Sequence, residues 1–438
     1  MSENYLSKRA QETVNKPARV DLDLYFEATS NQYHKEDNPE GRFPVNVAEN
    51  KLTWSMLAQK MQQITRERAI PEWVAGYENP MGADSFRAAL ASFMGEFLIG
   101  QAIEPETLGA SAGLSSVIEL TALSLANPGD TAIIPAPAYP VYTSDIGAVA
   151  GVRRYDLPRH RDLLSMKAGL EIEITQLEEA KKAIESEGSR LRMIILTTPD
   201  NPTGGVYAAV QLERIADWCE AHKIHMIVSE IYGLSVIDTA HPAIASDYED
   251  QVPYLSFGQI MVRRKSPFLH LWYAFSKDLG ISGFRMGFIH SYNEDFLKAY
   301  SNGNLTRMVS NYAQWVLQEV LLDRAFMADY LARNKKALTE AYIGVVKALR
   351  EVGVPYYPSR GSLFIWMDLS GLLSAKTDEA QRELWLDIYH TTGILLTPAD
   401  GFGHREKGWY RMVISYLSPA DQKVAMERLQ AYVSKAKG

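Results

Sequence analysis

Ala274-Phe275-Ser276-Lys277-Asp278-Leu279-Gly280, with Gly283-Phe284-Arg285-Met286-Gly287 close behind, is the stretch on which the reading of this chain turns. It follows an apolar run at 268–273 that reads as a buried strand. A lysine just beyond such a strand is partly desolvated, which favours the neutral amine that can form an imine with an aldehyde. Arg285 supplies a planar fork of donors suited to phosphate. A lysine alone is most often a solvated surface residue. Ser-Lys followed by Gly-x-Arg-x-Gly behind an apolar strand is far less expected by chance.

Upstream, Pro199-Asp200-Asn201-Pro202-Thr203-Gly204-Gly205 closes an apolar run at 193–196, and Glu230-Ile231-Tyr232 closes another at 225–228. Turn formation alone accounts for Asn, Pro, Thr and Gly in the first. Asn201 and Tyr232 can nevertheless both hydrogen-bond a phenolate oxygen, and the series of sites says more than any member. Apolar runs at 131–135 and 286–289 alternate with helical periodicity at 85–97, 116–126 and 210–222. That alternation predicts a largely parallel α/β sheet covered on both faces. A helix at 330–352, a strand at 363–369 and a helix at 377–391 predict a smaller α/β lobe. The expected division is a large domain at 56–314 and a small domain from 1–55 and 315–438. Ser111-Ala112-Gly113-Leu114-Ser115-Ser116 opens a helix whose free N–H groups suit a phosphate, although a plain helix cap would also use serine.

The 438 residues are 46% hydrophobic and 22% charged, with a formal net charge of −8 and no long basic run, which argues against nucleic acid as a partner. Cys219 is the single cysteine, so no intrachain disulfide is possible, and no Cys/His cluster has metal-ligand spacing. The N-terminal Met1-Ser2-Glu3-Asn4-Tyr5 is polar, and no apolar run reaches the roughly 18 residues of a membrane span. A cytoplasmic protein with no metal and no membrane association is expected.

These motifs resemble the fold-type-I pyridoxal-phosphate enzymes, the aspartate aminotransferase superfamily, over nearly the whole chain. The resemblance implies an α/β transferase fold with a mostly parallel central sheet and pyridoxal 5′-phosphate as cofactor. It implies that Lys277 is the Schiff-base lysine and proton shuttle. Asn201 and Tyr232 would contact the cofactor O3′, while Leu114, Ser115, Ser276 and Arg285 would hold its phosphate. Tyr139, in Pro135-Ala136-Pro137-Ala138-Tyr139-Pro140, matches the aromatic that stacks on the ring, and Arg411, in Gly408-Trp409-Tyr410-Arg411, matches the arginine that grips the substrate α-carboxylate. Tyr77 matches a tyrosine that reaches the phosphate of a neighbouring subunit, which implies a homodimer with shared active sites.

Val47-Ala48-Glu49-Asn50-Lys51-Leu52, Ser276-Lys277-Asp278-Leu279-Gly280 and Gly361-Ser362-Leu363-Phe364-Ile365-Trp366 are similar to the 1-aminocyclopropane-1-carboxylate synthase branch. In that branch Ala48 and Glu49 would lie near the substrate, with Glu49 as a catalytic group, and Tyr25 would help hold S-adenosylmethionine. The implied reaction is α-proton abstraction followed by elimination or replacement at the β- or γ-carbon. An aminotransferase, a carbon–sulfur lyase and a cofactor-binding relative without turnover are the alternatives. The chain departs from the family at Val228-Ser229-Glu230-Ile231-Tyr232, where Ser229 replaces the aspartate that pairs with the pyridine nitrogen. A hydroxyl adds no charge there, so the α-carbanion should be less stabilised and fast expulsion of a leaving group favoured over transamination. Ala274 likewise stands where many relatives carry a phosphate-binding hydroxyl.

Overall fold

The computed structural model describes residues 5–14, 21–159, 169–248 and 252–437, so the polar Met1–Asn4 lies outside them. Seven strands form the main sheet: β1 (Leu108–Ala112), β2 (Thr131–Ala136), β3 (Arg153–Pro158), β4 (Leu191–Thr197), β5 (His225–Ser229), β6 (Leu269–Ala274) and β7 (Met286–Ser291). Their order is β1-β7-β6-β5-β4-β2-β3. β7 pairs antiparallel with both neighbours, and the remaining pairs are parallel. Six strands therefore end at one edge, and the quoted segments that follow β1, β2, β4, β5 and β6 leave from it.

Side chains alternate across a strand. Ile194, Leu196, Met226, Val228, Leu271 and Tyr273 enter one buried cluster. Met193, Ile195, Ile227 and Trp272, the intervening residues, enter another on the opposite face. Burial on both faces explains why these strands read as continuous apolar runs rather than as alternating ones.

Two strands of this sheet escaped the sequence. β1 is interrupted by Gly109 and Ser111, and β3 carries the charged Arg153, Arg154 and Asp156 at the sheet edge. The helix expected at 85–97 is α-helical over Asp84–Phe93 and then widens into a π turn, Met94–Ile99, which ends on left-handed Gly100.

A second, antiparallel sheet contains β8 (Tyr356–Tyr357), β9 (Phe364–Asp368), β10 (Thr397–Pro398) and β11 (Trp409–Val413), in the order β10-β11-β9-β8. The 28-residue helix Arg324–Glu351 is started by Asp323, whose Oδ1 accepts from Phe326 N at 3.0 Å. Met327 and Tyr330 on this helix pack in the first core, whereas Leu338, Tyr342 and Val345 pack in the core of the second sheet. Asp378–Thr392 begins on Thr377, whose hydroxyl accepts from Ala380 N, and stops at left-handed Gly393.

Asp278 fixes the short helix Phe275–Asp278 in place. Its carboxyl group is fully buried and accepts from Leu234 N at 2.9 Å, Ser235 Oγ at 2.6 Å and Tyr273 Oη at 3.0 Å. The turn after Tyr232 is thereby tied to the segment that carries Lys277. Asp278→Ala would strand three buried donors and should cost about 3 kcal/mol, measured as a lower urea midpoint.

Burial also pushes the Asp278 and Glu230 carboxyl groups up to about 7. Folding thus favours their neutral forms. Their contribution is full below the unfolded carboxyl value of about 4 and is lost as pH rises through about 7. Urea midpoints taken at about pH 5 and about pH 8 should fall less in Glu230→Gln than in the unaltered protein.

Candidate active site

The strand ends enclose a cavity of about 200 Å³. At one end, β1 runs through Gly113 into the helix Leu114–Leu125, whose first residues, Leu114 and Ser115, line the cavity together with Ser276 and Arg285. Gly113 has φ 89°, and a Cβ there would strike the Arg285 guanidinium. A Cβ on Gly287 would come within 2.5 Å of Leu114 N. Arg285 holds the left-handed φ of 54° and donates Nη1 to Ser282 O at 3.0 Å. Backbone approach, a helix N-terminus and a guanidinium together form a cup for a phosphate.

At the other end, Arg411 of β11 is buried, with its guanidinium 4.4 Å from the centre of the Phe364 ring and 5.1 Å from that of Phe402. It donates Nη1 to Asn201 Oδ1 at 2.8 Å and Nη2 to Asn46 O at 2.6 Å. Because Oδ1 of Asn201 is taken by Arg411, its amide N–H₂ is left to donate elsewhere. The turn bearing Asn201 is held by buried Asp200, which pairs with Arg159 at 3.1 Å and accepts from Thr203 Oγ1 at 2.6 Å.

Lys277 reaches from the large sheet to the segment Ala48–Asn50, where Nζ donates to Ala48 O and Asn50 Nδ2 donates back to Lys277 O at 3.2 Å. Tyr232 is buried beside them; desolvation raises its phenol well above the ordinary value, with Arg411 pulling the other way.

Tyr139 packs edge-on against Tyr142, ring centres 5.2 Å apart, and its loop is pinned by Arg154, which donates to the carbonyls of Tyr139 at 3.2 Å and Pro140 at 3.3 Å. Tyr142 Oη lies 2.9 Å from Thr197 Oγ1, and burial pushes its phenol up to about 12. Ser229 is fully buried opposite the Tyr142 hydroxyl, and its Oγ makes no hydrogen bond of ordinary geometry.

Eleven of the residues singled out from the sequence line this one cavity: Ala48, Leu114, Ser115, Tyr139, Asn201, Ser229, Tyr232, Ser276, Lys277, Arg285 and Arg411. Three do not. The Glu49 side chain lies 3.6 Å from Lys51, Tyr25 packs from the helix Leu22–Ser30 onto the second core, and Tyr77 is fully exposed. Sequence reasoning missed Ile118, Tyr142, Asp145, Thr197 and Phe402, which also line the cavity. Tyr142 and Asp145 follow Tyr139 at helical intervals, a signal that the proline-rich start of the loop obscured.

The sequence profile of "Aminotransferase class I and II" matches residues 44–429. The chain belongs to this family. It is 28% identical over 412 residues to 1-aminocyclopropane-1-carboxylate synthase 2 of Cucurbita pepo, covering 92% of this chain and 81% of that one. It is 29% identical over 421 residues to 1-aminocyclopropane-1-carboxylate synthase 11 of Arabidopsis thaliana, covering 94% and 88%. Its fold matches an aspartate aminotransferase of Thermus thermophilus with maleate at a TM-score of 0.77 and 19% identity, covering 98% of this chain and 100% of that one. An aminotransferase from Mycobacterium tuberculosis matches equally at 0.77, with 19% identity over 99% and 100%.

The family is pyridoxal-phosphate dependent, this chain included, and the residues fit that cofactor. Gly113 lets the Arg285 guanidinium, and Gly287 the start of the helix Leu114–Leu125, close up into the phosphate cup, and the buried Ser229 Oγ and the Asn201 amide line the same cavity. In Gly113→Ala the new Cβ would displace Arg285 at a strained φ, a cost of about 1–3 kcal/mol. Equilibrium dialysis should show pyridoxal 5′-phosphate bound about tenfold or more weakly.

Proposed function

We propose that this protein is a pyridoxal-phosphate-dependent synthase or lyase that removes the α-proton of S-adenosylmethionine and expels its sulfonium leaving group. The observation that carries the amino-acid part is Arg411, a buried guanidinium in the same cavity as Lys277. A substrate α-carboxylate placed on Arg411 brings its α-carbon to the lysine side of the cavity, and bidentate pairing fixes its orientation. The choice of S-adenosylmethionine is supported by the likeness to 1-aminocyclopropane-1-carboxylate synthases over more than nine-tenths of the chain.

When bound, the cofactor supplies an electron sink for the α-carbanion. Lys277, freed from Ala48 O, takes the α-proton on Nζ as general base. Tyr232 and Asn201 would donate to the cofactor's phenolate oxygen, Tyr139 would cover its ring, and Ser115, Ser276 and Arg285 would hold its phosphate. Glu49, next to the cavity-lining Ala48, would turn from Lys51 to meet the sulfonium, and Tyr25 would turn from the second core to pack around the adenosyl group. Val47 and Ala48 wall off water on the lysine side.

In this reading the enzyme is a cytoplasmic homodimer, in which the fully exposed ring of Tyr77 is covered by the second subunit and completes that subunit's phosphate cup. In the same reading a large domain spans 56–314 and a small domain is formed by 1–55 and 315–438.

Incubation of the holoenzyme with S-adenosylmethionine should release 5′-methylthioadenosine without a keto acid, as identified by mass. Keto acid formed in step with a second amino acid would make the protein an aminotransferase instead. Glu49→Gln should raise KM for S-adenosylmethionine about tenfold, with a smaller change in kcat, matching about 1.4 kcal/mol of lost attraction.

A further inference from the structure

Asp145 is the only carboxyl group that lines the cavity among the described residues, whereas Lys277, Arg285 and Arg411 bring positive charge to it. It sits on the short helix Tyr142–Gly147, one turn beyond Tyr142, and lines the same cavity as Ile118, Thr197 and Ser229. Tyr142 and Asp145, three residues apart, face the same way. The Asp145 Oδ2 atom is buried and has no hydrogen-bond partner. The charged group that influences it is a like charge, Glu119, which is itself engaged by Arg307. Burial above all, and Glu119 after it, pushes the Asp145 carboxyl up to about 7.

A carboxyl oxygen buried without a hydrogen-bond partner is costly, even in a half-buried side chain. Its position accounts for it only if a ligand brings a partner. The Arg285 and Arg411 guanidiniums match the anionic phosphate of the cofactor and the carboxylate of the substrate. The basic atom left on the cofactor is its pyridine nitrogen. Around Ser229, where the family places an aspartate, the other polar groups on the wall are the neutral hydroxyls of Thr197 and Tyr142, already paired with each other.

We propose that Asp145 is the acidic partner of the cofactor's pyridine nitrogen, so that the carboxyl group absent from position 229 on β5 is supplied by the neighbouring helix. Asp145 holds a proton at the ring nitrogen, and Ser229 lies beside it as a hydrogen-bonding hydroxyl. Electrostatic support for the α-carbanion is then relocated rather than lost. The inference rests on the pyridoxal-phosphate assignment and is independent of which amino acid is the substrate.

The test uses the holoenzyme without substrate, reconstituted with pyridoxal 5′-phosphate labelled with ¹⁵N in the ring. Solid-state ¹⁵N spectra should show a protonated ring nitrogen in the unaltered protein and a shift to the neutral position in Asp145→Asn. Asp145→Glu should keep the protonated signal, and the double variant Asp145→Asn/Ser229→Asp should restore it. Circular dichroism and retained cofactor absorbance establish that each variant is folded and loaded. The inference is overturned if the nitrogen is already neutral in the unaltered protein. It is equally overturned if Asp145→Asn leaves the signal in place, even where KM for the substrate changes. Absence of any bound cofactor in the unaltered protein would instead overturn the cofactor assignment itself.

Discussion

The buried hydrogen bond between Arg411 and Asn201 is the constraint on which the site depends. It joins β11 of the small sheet to the turn after β4 of the large one, and neither residue could be placed without the other. A guanidinium taken out of water needs acceptors and polarisable faces. Asn201 Oδ1, Asn46 O and the rings of Phe364 and Phe402 provide them. The two sheets are thereby fixed over a common space, and the amide of Asn201 is oriented as a donor.

A second brace works from below. Asp278, adjacent to Lys277 in sequence, takes three hydrogen bonds from the turn behind Tyr232 and from β6. The lysine and tyrosine that must face one ligand are therefore held by a neutralised buried carboxyl group rather than by loop packing. Arg154 does the same for the Tyr139 loop through two carbonyls. Such supports keep a site close to its working geometry before a ligand arrives.

The electrostatics of the cavity are one-sided apart from Asp145. Positive groups at both ends favour a ligand with several anionic groups, and the central wall is otherwise built of hydroxyls and apolar side chains. Replacement of a family carboxylate by Ser229 looks, along the sequence, like the loss of an electron sink. In three dimensions a carboxyl group lies on the adjacent helix, so the choice between leaving-group expulsion and amino-group transfer cannot follow from position 229 alone.

The sequence by itself determined the parts whose chemistry is local. Strands buried on both faces declare themselves as apolar runs, and Lys277, Arg285, Asn201, Tyr232 and Arg411 carry functional groups that few other residues could replace. Those motifs disclosed the sheet, the cofactor and most of the cavity wall. Tertiary structure decided what depends on distance between remote segments. β1 and β3 lacked an apolar pattern because glycine and serine, or an edge position, suffice there. The π turn after Phe93 depends on packing that periodicity does not encode. Tyr142 and Asp145 reach the cavity only because their helix packs against the helix Leu114–Leu125 and β3. Glu49 and Tyr25, matched by resemblance, came to rest outside the cavity lining, because side-chain direction is set by neighbours in space and not by motif.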